Sequence, residues 1–104
     1  MTNTNYKTIA SKIKFEGRAF INGKYVDAID GEKFETINPA TGETLCSVVK
    51  CNSKDVDLAV KVSRKAFNSG VWSRTSPEFR KDVLLKFAEL LRTHGVENSV
   101  LECI

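Results

Sequence analysis

Apolar positions along this chain change period near its midpoint. In the first half they fall in short runs: Ala19-Phe20-Ile21 and Lys24-Tyr25-Val26 flank Asn22-Gly23. Asn-Gly tolerates the positive φ angles that a type I′ hairpin turn demands at both central positions, so two short strands around a tight turn are expected. Asp30-Gly31 offers another turn. Phe34–Ile37 and Thr44–Val49 are the next strand candidates, rich in β-branched residues. Between them, Pro39 denies a ladder donor and Gly42 permits a left-handed bend. The first half therefore predicts a β-meander.

The second half follows the helical period. Ser53 is a candidate N-cap, with Asp55 in the first turn where a carboxylate suits the helix dipole. Val56, Ala59, Val60 and Phe67 share one face, and Asn68-Ser69-Gly70 supplies a stop. Ser76-Pro77-Glu78 begins another helix with a cap, a proline at the first position and a carboxylate. Leu84, Phe87, Ala88 and Leu91 form its apolar stripe, Arg92 and His94 favour its C-terminal end, and Gly95 is expected to close it. A further helix begins near Val96, with Val100, Leu101 and Ile104 facing inward. No polar tail, cap or breaker follows Ile104, so the chain reads as interrupted, with apolar faces left uncovered.

Before the first strand, Tyr6, Ile9, Ala10 and Ile13 make an amphipathic stripe at i, i+3, i+4 and i+7. Residues 1–18 carry Lys7, Lys12, Lys14 and Arg18 against the single acid Glu16. Transit peptides resemble this, although Arg normally outnumbers Lys in them. A docking helix is the preferred reading, and a cytoplasmic location is preferred over a mitochondrial one.

Composition narrows the classes. The 104 residues are 41% hydrophobic and 28% charged, which suits at most one globular domain or part of one. Sixteen basic residues are interleaved with thirteen acidic ones along the whole chain. That is a mixed solvated surface, unlike the clustered patch of a nucleic-acid reader. No apolar run approaches a membrane span. Cys46, Cys51 and Cys103 make an odd count without a C-x-x-C pair, which argues against a disulfide framework or zinc site and for thiols that act as small apolar groups. The glycines never form G-x-G-x-x-G or a P-loop. His94, the only histidine, suits a helix end better than acid–base work, and Trp72 suits an anchor against the core.

Several blocks in order resemble the NAD(P)-dependent aldehyde dehydrogenase family. They are Phe20-Ile21-Asn22-Gly23-Lys24, Phe34-Glu35-Thr36-Ile37-Asn38-Pro39-Ala40-Thr41-Gly42-Glu43, Asp55-Val56-Asp57 with Ala59-Val60, Ala66-Phe67, and Trp72. Arg80 with Leu84, Ala88 and Leu91, then Leu101-Glu102, complete the series. Asn-Pro-Ala-Thr-Gly alone is a weak signal; the series in register is a strong one. Trp72-Ser73, Ser76-Pro77 and Arg80-Lys81 most resemble the γ-glutamyl-γ-aminobutyraldehyde dehydrogenase branch, while betaine-aldehyde dehydrogenases share the Phe34–Ala40 block equally well.

The resemblance implies an α/β fold of which this is the N-terminal portion: a leader helix, a β-meander and two to three helices. Residues 1–18 would be an amphipathic leader and 19–104 the start of a truncated cofactor-binding domain. It implies aldehyde oxidation in which a thiolate attacks the aldehyde, hydride passes to NAD or NADP, and glutamate-activated water releases the acid. The family's nucleophile lies in a motif beyond residue 104, and none of the three cysteines occupies it. No catalytic and no cofactor-binding residue is therefore assigned here, and this portion alone is expected to bind neither NAD nor NADP. Some family members bind a monovalent cation through main-chain carbonyls just before Asn-Pro, which puts Thr36 and Ile37 forward as two such donors. The family is homo-oligomeric, so this portion is expected either to belong to such a dehydrogenase or to dock onto one as an assembly module, with neither nucleic acid nor membrane as partner.

Overall fold

The computed structural model describes residues 3–104. In chain order it comprises α1 (Tyr6–Lys12), β1 (Ala19–Ile21), β2 (Lys24–Val26), β3 (Lys33–Ile37), β4 (Thr44–Val49), α2 (Ser53–Ser69), α3 (Pro77–Thr93) and α4 (Gly95–Cys103). The strands and helices fall where the hydrophobic pattern placed them.

The strands do not form one continuous ladder. β1 pairs only with β2, and β3 only with β4, each as a separate antiparallel two-stranded sheet. The expected meander is thus two successive hairpins. In the first, Asn22 and Gly23 take φ of 57° and 76°, and Phe20 faces Tyr25 edge-on at 5.1 Å between ring centroids. In the second, the register shifts between Thr36 and Ile37, and the turn closes through Asn38 N–H to Glu43 O (2.8 Å) and Gly42 N–H to Asn38 O (2.7 Å). Gly42 sits at φ 76°, the left-handed region glycine enters without a Cβ clash.

The segment that divides the hairpins is tied down from outside. Asp55, only 4% exposed, accepts the Ile29 N–H at 2.8 Å and the Asn52 N–H at 2.9 Å. The second bond is half of a capping box. Asn52 is the N-cap of α2, not Ser53, and its side chain accepts from the Lys54 N–H while Asp55 reaches back. Asp30 joins the cluster through Lys54 Nζ at 2.9 Å and Asn52 Nδ2 at 2.6 Å. The chain between β2 and β3 is thereby drawn to the start of α2, away from a position that would extend either sheet.

Gly70, with φ 78°, ends α2 as a left-handed C-cap. Ser76 caps α3 through its hydroxyl to the Phe79 N–H at 3.1 Å, ahead of Pro77. The end of α3 departs from expectation. His94 terminates α3 and also precedes α4, with φ −101°, and Gly95 is the first residue of α4 rather than a left-handed stop. The carbonyls at the end of α3 are met instead by the His94 N–H, which reaches Leu90 O at 3.0 Å.

These elements spread into a slab. Its Cα extents are 46 × 43 × 16 Å, and its radius of gyration is 17.9 Å, against about 13 Å for a compact domain of this length. The accessible surface is 8690 Å², while a compact monomer of 11.6 kDa exposes about 5,800 Å². Among the described residues the buried apolar side chains are Ala28 and Val100. Leu84, Phe87 and Leu91 of the α3 stripe are exposed, as are Val56, Val60 and Phe67 of the α2 stripe. Both helices have apolar faces, and neither has a layer on that face.

Asp55 yields a pH-dependent expectation. The N–H groups of Asn52 and Ile29 hold its carboxyl below the usual carboxylate range, outweighing the opposing effect of burial. Its stabilising contribution is therefore present above the unfolded value near 3.8 and is lost as pH falls through the lower folded value. Asp55→Asn keeps one acceptor oxygen but turns an NH₂ toward the second N–H donor. The denaturation midpoint of Asp55→Asn is expected to fall below that of the unaltered chain at pH 7, with the gap closing below about pH 4. An equal gap at both pH values would show that the charge contributes nothing.

Candidate functional site

Thr36 and Ile37 lie at the end of β3, on either side of the register shift. Thr36 is opposite Cys46 and Ile37 opposite Thr44. The bulge follows from the turn, because Asn38 bonds Glu43 across the four residues Pro39 to Gly42. The donor set from these two residues is two main-chain carbonyls. Hard cations are held by several oxygens, so two carbonyls alone do not fit the ion. No group of three or more His, Cys, Asp or Glu side chains that could hold a metal occurs among the described residues.

The other chemistry-bearing side chains are dispersed over the slab. Cys46 is half-buried on β4, while Cys51 and Cys103 are exposed rather than packed. His94 Nδ1 lies 3.7 Å from Glu97 Oε2 one turn into α4, an exposed pair at a helix junction. Trp72 is 42% exposed and meets Phe79 edge-on at 6.4 Å between centroids, so it braces the connection from α2 to α3 without entering a core. Arg80 secures the same connection by donating to Thr75 O, and Arg74 donates to Asn68 O at 3.1 Å.

Two concave places flank the contact between α1 and α4. One is lined by Ile9, Ile13, Val96 and Leu101 with Lys12 and Glu97 at its rim, the other by Tyr6, Ala10, Val100, Cys103 and Ile104. A third groove runs along α2 past Val60, Arg64 and Phe67. No helix of the described residues is long and apolar enough to cross a membrane. What the geometry presents is a set of apolar faces on a thin support.

The hydrophobic pattern did not reveal two structural residues. Asp55 was legible as a first-turn acid, but its bond to Ile29 spans 26 residues and has no local signature. Gly17 stands where neither a turn nor a helix end needs it. A Cβ there would lie 2.0 Å from Ser47 O, and its carbonyl accepts the Val49 N–H at 2.8 Å. A glycine outside any turn signal was the available clue to this close approach.

Residues 25–104 match the Aldehyde dehydrogenase family. The chain belongs to that family. It is 50% identical over 102 residues to aldehyde dehydrogenase 1 of Tanacetum cinerariifolium, covering 98% of this chain and 20% of the relative. It is 41% identical over all 104 residues to an aminoacetaldehyde dehydrogenase of Pseudomonas aeruginosa, covering 21% of it. Among solved structures, a mutant indole-3-acetaldehyde dehydrogenase of P. syringae in complex with NAD+ and IAA superposes with a TM-score of 0.89. It is 42% identical, and the match covers 93% of this chain and 20% of that one. A γ-glutamyl-γ-aminobutyraldehyde dehydrogenase of Burkholderia cenocepacia J2315 gives the same values. This chain thus has the N-terminal part of the aldehyde dehydrogenase fold and spans about a fifth of the length of the curated relatives.

The thiols offer a direct check on the exposed arrangement. In the 104-residue chain, Cys51 and Cys103 are expected to react with a neutral alkylating reagent several-fold faster than the half-buried Cys46. Peptide mass mapping over a time course measures this, and equal rates at all three would mean that β4 is not protected by its partner.

Proposed function

We propose that this chain is part of an oxidoreductase that converts aldehydes to carboxylic acids with NAD+ or NADP+, and that it serves there as an outer layer of the cofactor-binding domain. Within that domain, residues 1–18 are the leader and 19–104 the first structural unit. The observation that carries this reading is the slab itself. Its apolar helical faces lie bare, and it superposes closely on the opening fifth of whole dehydrogenases. A layer with uncovered faces is what such a segment looks like apart from the body it covers.

Bound NAD(P)+ would supply the hydride acceptor. The residues of this chain do something else: α2 and α3 present Val60, Phe67, Leu84 and Leu91 as a lid of apolar surface, and the Asp55 cluster sets the angle between helices and hairpins. We assign the nucleophile, the water-activating carboxylate and the dinucleotide pocket to other parts of such an enzyme. Thr36 and Ile37 would contribute at most two of the oxygens around a monovalent cation. Family oligomerisation and a cytoplasmic setting belong to the same proposal, as does placement near the γ-glutamyl-γ-aminobutyraldehyde dehydrogenase branch. The bare faces of α3 also suit a non-catalytic module that docks onto a separate dehydrogenase chain.

One experiment separates these outcomes. The 104-residue chain, given NAD+ or NADP+ and a panel of aldehydes, is expected to produce no reduced nicotinamide. Mixed or co-expressed with a relative that lacks its corresponding first fifth, it is expected to restore aldehyde-dependent NADH formation. Activity of the chain alone would overturn the assignment of catalysis to other segments. Binding to an intact dehydrogenase without complementation of the shortened one would favour the docking module.

A further inference from the structure

The segment before β1 is fastened at both ends, to elements far from it in sequence. At its start, α1 lies against α4, the most extensive contact between helices among the described residues. Ala10 and Tyr6 share an apolar groove with Val100, one of the two buried apolar side chains among the described residues, and Ile9 and Ile13 line a second groove with Val96 and Leu101 on the other flank. At its end, Gly17 lies so close to β4 that no larger residue fits, and its carbonyl takes the N–H of Val49, the β4 residue opposite Lys33. Glu16 and Arg18, 2.5 Å apart, flank this glycine, and the Arg18 guanidinium stands 5.5 Å from the Tyr25 ring.

A removable address has no use for such fastening, because its loss would uncover Val100 and leave a β4 amide without its acceptor. A bacterial relative aligns with this chain over its whole length, leader included, in an organism without organelles to address. The solved bacterial structures match 93% of the chain, which leaves fewer positions unmatched than residues 6–18 contain. The family match covers residues 25–104, so the case for the segment rests on these whole-length likenesses and on its contacts.

We infer that residues 6–18 are a permanent strap, kept in the mature protein, that clamps α4 to the β3–β4 hairpin. The inference is independent of the proposed activity. It is tested first on the natural protein, by mapping its N-terminal peptide by mass spectrometry. Peptides that begin ahead of Tyr6 are expected; a mature start at or after residue 13 overturns the strap.

Hydrogen exchange on the protein that carries this chain then tests the clamp. Ala10→Asp puts a charge against Val100, and Gly17→Ala forces the leader off β4. Ala10→Asp is expected to speed exchange of the α4 amides from Ser99 to Cys103 by about tenfold or more, and Gly17→Ala that of Val49, with α2 unaffected. Ser11→Asp, a charge on the exposed side of the same helix, is expected to change neither. Unchanged α4 and Val49 exchange in the first two variants overturns the clamp. Should either variant fail to fold, the N-terminal mapping still decides whether the segment is kept.

Discussion

A single layer of secondary structure cannot bury its own apolar face, and that constraint organises this chain. Hydrophobic burial stabilises by about 25 cal/mol per Å² of apolar surface removed from water. Here the helices that carry the most apolar surface, α2 and α3, have nothing against their stripes. What order the slab has comes from local and polar devices: two hairpins, three helix caps, and a buried carboxylate. Such devices set the direction of the chain with little burial. They suit a part whose apolar faces are completed by a larger body, and membership of the aldehyde dehydrogenase family supplies the type of body.

The Asp55 cluster is where the two halves of the slab are joined. One carboxylate satisfies an orphan N–H at the start of α2 and the Ile29 N–H of the inter-hairpin segment, so helix direction and hairpin position are set by the same group. Asp30 adds a partly exposed pair with Lys54, and surface pairs of this kind contribute little individually. The short-range bonds of Asp55 outrank it because they are made by a side chain shielded from water. The leader completes the frame from the other side, by joining α4 to β4.

Much of this architecture was legible from local chemistry. Asn22-Gly23, Asn38–Gly42 and Ser76-Pro77 each encode their turn or cap within a few residues, and the structure realises all three. The division of the meander was not legible, because it depends on Asp55 capturing Ile29 across 26 residues. Nor was the end of α3: Gly95 looked like a left-handed stop, yet α4 follows so closely that the glycine is helical. The cysteines show the same limit. Cys51 and Cys103 have the composition of packed thiols but sit on surfaces this chain does not cover. For the site, only the resemblance put Thr36 and Ile37 forward; the bulge that separates their pairing has no local signature and arises once Asn38 and Glu43 meet.

The contact between α1 and α4 also has a consequence in time. Each hairpin closes on itself and can form in roughly 1–10 μs once its own residues are free. The leader helix has no such neighbour, since its partner begins only at Gly95. At synthesis rates of about 5–20 residues per second, the interval between completion of Lys12 and arrival of Gly95 is roughly 4–17 s. A seven-residue helix is far too short to persist unaided in water. The first helix to be made is therefore the last element of this segment to gain its partner, and it waits as an unstructured basic segment until α4 emerges.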